Sequence, residues 1–119
     1  MAKPKAGDGL PTPLRATIAQ AKGLKNEPGR QSALVFKHGT MQLRWYAPPQ
    51  VDSQQPHTQD ELYIVARGAA TFVVDGERVP CGPGDVLFAK AGAVHRFEEM
   101  APEFATWVVF WGPQGGEQP

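Results

Sequence analysis

Two histidines, a glutamate and a glutamine have the types and spacing of a metal-donor set. His57 and Glu61 stand four residues apart in residues 55–68, QPHTQDELYIVARG, and His95 follows in AGAVHRF. Neutral imidazole nitrogen and anionic carboxylate oxygen suit a divalent transition metal and leave positions for water or a ligand. Residues at even separation share a face of extended backbone, so Gln55, His57 and Glu61 point the same way there. The polar, turn-like residues 58–60 can alter that register. Gln55 adds an amide oxygen, a weak fourth donor or a partner for metal-held water. His95 reaches the same pocket if antiparallel pairing carries it across. By residue type alone, a His/Glu pair is also what an ordinary polar surface shows.

The elements that must position these donors read as short strands. Residues 32–36 and 39–46 form a hairpin turned at 37–40, in which Met41, Leu43 and Trp45 alternate with Gln42, Arg44 and Tyr46. That period puts one set against a core and the other toward solvent or a partner. Three prolines and several polar residues across 48–56 cannot continue a central strand, so this stretch is a loop leading into His57. Strands are expected at 61–66, 70–74, 77–79, 86–89, 95–98 and 104–111. Asp75 and Gly76 make a tight hairpin turn, and turns fall at 81–85 and 91–94. The last strand, FATWVVFW, has large side chains on both faces, which predicts burial on both sides or one side covered by another subunit. Before the first strand, Thr12 and Pro13 look like an N-cap and first helical residue. Leu14, Ile18 and Ala21 or Leu24 share one side of a short helix ended by Gly23 or Gly29.

Composition narrows the function. A chain of 119 residues fits one domain with a continuous core. Residues 1–11 read as a flexible arm, 12–111 as the domain and 112–119 as a tail. Twelve basic and twelve acidic residues give zero net charge without a basic block, so neither nucleic acid nor an anionic membrane is an expected partner. No apolar run approaches the roughly 20 residues that cross a bilayer. Residues 1–9, MAKPKAGDG, lack the apolar middle of a secretion signal, so the cytoplasm is the expected location. The single cysteine, Cys81, closes no intrachain disulfide and reads as a small side chain in the turn PCGPG. His38 reads as an exposed turn residue. Tyr63 and Arg67 are candidates to line the pocket, with core packing and solvent exposure as their plainer roles.

Two motifs together resemble the cupin family. Its first motif places a glycine, five residues, His-x-His, three or four residues, Glu, six residues and Gly. Here Pro49 takes the opening glycine position and Gln55 the first histidine, followed by His57, Glu61 and Gly68. The second motif is matched by Gly84, Gly92 and His95, with Lys90 at its proline and Glu99 at its asparagine. The resemblance extends over most of 32–111. It implies an all-β cupin-type double-stranded β-helix, a jelly-roll β-barrel, here with a short N-terminal helix.

The same resemblance implies a divalent transition metal (Zn, Ni, Fe or Mn) held by His57, Glu61 and His95 with Gln55 assisting. It also implies a small oxygen-rich organic molecule as ligand, and a homodimer. Isomerase, lyase and dioxygenase chemistry are all compatible with such a pocket, and no Ser-His-Asp or Cys-His nucleophile is evident. Two other functions fit the sequence. One is a non-catalytic module that binds a small ligand, and the other is a metal-free structural or interaction cupin in which Gln55 marks a lost site.

Overall fold

A computed structural model describes residues 9–26, 28, 30–49, 52 and 56–119. Among the described residues eight strands follow one short helix: α1 (Ile18–Lys22), β1 (Ser32–His38), β2 (Met41–Tyr46), β3 (Asp60–Arg67), β4 (Ala70–Val74), β5 (Glu77–Cys81), β6 (Val86–Ala89), β7 (His95–Glu98) and β8 (Ala105–Trp111). They pair into a five-stranded sheet, β1-β2-β8-β3-β6, and a three-stranded sheet, β5-β4-β7. Every ladder is antiparallel. Among the described residues no ladder joins the sheets, so the jelly roll is held shut by packing and not by a closed hydrogen-bond circuit.

That packing is aromatic. Tyr63, Val65, Val108 and Phe110 of the larger sheet meet Ala70, Phe72, Cys81 and Phe97 of the smaller one in a single cluster. The Tyr63 ring lies 5.6 Å from Phe72 and 5.0 Å, edge-on, from Phe97. Each buried phenylalanine contributes about 1.5–3 kcal/mol through removal of its surface from water. The hairpin between β4 and β5 turns at Asp75 and Gly76, whose φ values of 48° and 84° are those of a tight two-residue turn.

The β2 alternation is confirmed, but the set turned from the interior is covered by the N-terminal segment of the same chain instead of facing solvent or a partner. Arg44 and Tyr46 point between the sheets, where Tyr46 joins the central cluster. Leu43 and Trp45 lie on the outer face, packed with Ala21 of α1, Val35, Ala105 and Trp107. Alternation fixes which residues share a face; what covers each face decides which one is apolar.

The helix starts five residues later than Thr12 predicts. Thr17 is the N-cap: its hydroxyl accepts from the Gln20 amide at 3.1 Å, and the Gln20 side chain accepts from the Thr17 amide at 2.9 Å. This reciprocal box satisfies two amides at once. Thr12 has Arg15 three residues on and no such partner, and Leu14, expected on the buried side, is fully exposed. Gly23 ends the helix as expected.

The double-faced apolar character of β8 is met within the chain. Thr106, Val108 and Phe110 are buried between the sheets, while Ala105 and Trp107 sit under the N-terminal helix, with Trp107 edge-on to Trp45 at 4.9 Å.

Candidate metal centre

His57 ends the approach to β3, Glu61 is the second residue of β3, and His95 opens β7. Register explains why they meet. Glu61 lies opposite Phe110 on one side and Ala89 on the other, so its carboxylate points between the sheets beside a small neighbour. His95 pairs with Val74 at the end of the smaller sheet and points into the same space.

The His95 Nε2 is 3.0 Å from Glu61 Oε2, and His57 Nε2 is 3.8 Å from Glu61 Oε1. One donor atom from each residue can be chosen so that all lie within 4.8 Å of one another. Glu61 and His95 are buried, and His57 is half-buried. The two imidazole rings are 5.7 Å apart, and Phe110 stands edge-on against His57 at 5.0 Å. Metal–ligand bonds of about 2.0–2.2 Å place neighbouring donors about 3–3.5 Å apart, so the observed spacing needs only a small contraction.

Hydrogen bonds around the three residues fix which atoms face inward. His95 Nδ1 lies 2.8 Å from the Ala93 carbonyl oxygen. A carbonyl only accepts, so Nδ1 carries the hydrogen and Nε2 is left to face Glu61. Nε2 is fully buried and lacks hydrogen-bond geometry despite its 3.0 Å approach to the carboxylate. A nitrogen lone pair and a carboxylate oxygen in that contact repel unless a proton or a metal cation shares the space between them. Tyr63 donates its hydroxyl hydrogen to Glu61 Oε1 at 2.9 Å and so orients the carboxylate.

The two imidazoles are shifted in opposite directions. Burial pushes His57 below the ordinary histidine value; Glu61 partly offsets that, while His95, Arg30 and Arg44 push it further down. Burial acts the same way on His95, but the Glu61 carboxylate, the Ala93 carbonyl and Asp52 outweigh it and raise the value. His57 therefore favours the neutral form a metal ligand needs, while the Glu61 carboxylate favours a proton or another cation at His95.

Of the four residues proposed from sequence, the structure brings His57, Glu61 and His95 together, and Gln55 lies outside the described residues. Tyr63 combines the two roles open to it, as a core ring and as the orienter of Glu61. Arg67 is exposed at the end of β3, and His38, the last residue of β1, is exposed as expected. Cys81 ends a strand instead of lying in a turn, and burial raises its thiol value.

Sequence reading missed Asp52. Its carboxylate is buried, accepts the Tyr46 hydroxyl, and takes the Phe97 amide at 2.8 Å. An aspartate in a proline-rich loop reads as surface; only the partner 45 residues away reveals its place.

The cupin domain profile matches residues 43–111, a span containing His57, Glu61 and His95. An uncharacterised protein of Streptomyces coelicolor is 38% identical over 63 residues, covering 53% of this chain and 60% of the relative. The chain thus spans about three fifths of that relative's length. A cupin 2 conserved barrel domain protein from Salinispora arenicola superposes with a TM-score of 0.64 at 23% identity, over 87% of this chain and 91% of its own. A cupin superfamily protein from Desulfitobacterium hafniense gives 0.61 at 17% identity, over 92% and 98%. These likenesses carry the fold, and activity has to be argued from the site. By the profile match over most of its strands, the chain belongs to the cupin family.

Proposed function

We propose that the chain is a small metal-binding cupin in which His57, Glu61 and His95 hold a divalent transition metal (Zn, Ni, Fe or Mn). Gln55 serves as a weaker fourth donor, and the site presents the metal to a small oxygen-rich organic molecule. The observation that carries this reading is the buried Nε2 of His95, fixed by Ala93 and turned onto the Glu61 carboxylate without a hydrogen bond. When bound, such a metal supplies Lewis acidity toward a carbonyl or chelating oxygen. The chain holds the donors in place: Ala93 selects the His95 tautomer, Tyr63 orients Glu61, and Phe110 backs His57. This arrangement supports the binding of a small ligand at the metal.

The test is thermal denaturation of untagged protein with a panel of small hydroxy and keto acids, run with and without added metal. The reading predicts stabilisation by one class of acid only after metal loading. Equal stabilisation without metal favours a binding module that uses the pocket alone, and no response to metal or acid favours the structural or interaction cupin.

Two copies are proposed to associate through the outer face of β3 and β6. Ile64, Val86 and Phe88 are exposed there, and β6 is an edge strand. Asp85 and Lys90 flank β6, so an antiparallel second copy brings opposite charges together. Phe88→Lys is expected to convert a dimer to a monomer in sedimentation, and a wild-type monomer at every concentration refutes the pairing. The zero net charge favours a small molecule over nucleic acid. Among the described residues no helix is long and apolar enough to cross a membrane. A cytoplasmic location is proposed, in keeping with the lone free thiol of Cys81, and cell fractionation tests it.

A further inference from the structure

Asp60 sits immediately before Glu61 on β3, so its side chain leaves the opposite face of the strand. It is buried, and each carboxylate oxygen accepts a different backbone amide: Oδ1 takes Ala91 at 2.9 Å and Oδ2 takes Glu117 at 2.9 Å. Ala91 opens the turn whose Ala93 carbonyl fixes His95, and the amide of Gly92 in that turn donates to the His57 carbonyl at 2.8 Å. The segments carrying all three proposed ligands are therefore tied to one another by backbone bonds, with Asp60 at the junction.

The segment 112–117 is the fourth member of this junction. Gly115 donates to the Thr58 carbonyl at 2.6 Å, Gln59 donates to the Gly112 carbonyl at 2.8 Å, and the Thr58 hydroxyl bonds the Gln114 side chain. Every residue between His57 and Glu61 thus has a bond to it: Thr58, Gln59 and Asp60. Gly116 is buried with φ near +90°, and a Cβ there would stand 2.9 Å from Asp60 Oδ1 and 3.0 Å from the Ala91 side chain. The site accepts glycine because backbone and carboxylate approach too closely for a side chain.

We infer that the segment 112–117, clasped by Asp60, is a strap that sets metal affinity by fixing His57 relative to Glu61 and His95. This rests on the metal reading proposed above. Partners behind a metal ligand typically govern affinity by 10–100-fold, and here one carboxylate supports two ligand-bearing segments. Linkage makes the effect reciprocal: if the docked strap tightens metal binding, metal must tighten the docking of the strap by the same factor. Asp60 is then a positioning residue, whose influence reaches the metal through the backbone of its neighbours.

The test uses full-length wild type, Gly116→Val and Asp60→Asn, with Zn²⁺ for calorimetry, Co²⁺ for the visible spectrum, and amide hydrogen exchange across 113–117. Wild type is expected to bind one Zn²⁺ and to exchange these amides about tenfold more slowly when loaded. Gly116→Val is expected to weaken Zn²⁺ about tenfold and alter the Co²⁺ bands, with Asp60→Asn, which keeps one carbonyl acceptor, falling between the two. A merely structural strap would lower the melting temperature and leave the Co²⁺ bands unchanged. If wild type binds Zn²⁺ while both variants match its affinity and spectrum, or if exchange is indifferent to Zn²⁺, the strap is refuted and the metal site stands. Wild type that binds neither ion refutes the metal reading and the strap with it. Should Gly116→Val fail to fold, the exchange measurement on wild type decides alone.

Discussion

His95 and Glu61 meet at 3.0 Å across the interior from strands of different sheets, with their side chains almost wholly removed from water. Such a pair is a poor device for stability alone, because desolvating both groups offsets most of their attraction. A buried carboxylate facing an imidazole nitrogen across the two layers is suited to holding a cation between them. The interior that surrounds it is otherwise aromatic, which keeps the contact dry and strong.

Tyr63 is expected to matter more for metal than for folding. Tyr63→Phe removes the hydroxyl that orients Glu61 Oε1 and keeps the ring against Phe72 and Phe97. Metal affinity is expected to fall about tenfold by calorimetry. Urea denaturation is expected to show a loss of about 1 kcal/mol. Unchanged affinity would remove Tyr63 from the site.

Tyr46 carries a pH signature. Burial, followed by the hydrogen bond and the charge of Asp52, raises its phenol well above the usual range. The folded phenol therefore stays neutral where the unfolded one ionises, at about pH 10. Its stabilising contribution is full below that pH and is lost as pH rises toward the folded value. Tyr46→Phe is expected to cost about 1–3 kcal/mol at pH 7, since the buried Asp52 loses a donor. The gap between wild type and variant in urea midpoint is expected to narrow between pH 9 and pH 11, on either side of about pH 10.

Glu99 is a site for stabilisation. It takes a positive φ of 52°, a conformation that asparagine tolerates better than glutamate. Its contacts with Arg78 and Thr71 are exposed and contribute little. Glu99→Asn is expected to raise stability by about 0.5–1 kcal/mol, read from the urea midpoint. A loss would mean that the Arg78 contact outweighs the backbone strain.

Particular residues show how far the sequence carries. The motif spacing singled out His57, Glu61 and His95, and the structure brings their donor atoms within 4.8 Å of one another. Sequence reading also anticipated β4, β6 and β7 at their observed limits. The direction of the β2 faces was not legible. Arg44 and Tyr46 point inward because the interior there holds polar partners, Ser32 twelve residues from Arg44 and Asp52 six residues from Tyr46, which no strand period reveals. The helix start was hidden because two threonines each precede apolar residues, and only the Gln20 side chain singles out Thr17. The role of Asp60 escaped for the same reason as Asp52: its partners, Ala91 and Glu117, are 31 and 57 residues away.

The central claim is most directly tested by metal content. Protein purified without an affinity tag, and its His57→Ala and His95→Ala variants, would be incubated with an equimolar mixture of Zn, Ni, Fe and Mn. After desalting, they would be measured by inductively coupled plasma mass spectrometry. The account predicts one equivalent of divalent transition metal in wild type and its loss from both variants, with folding retained by circular dichroism. Folded wild type that repeatedly emerges without metal, or variants that keep a full equivalent, would contradict it.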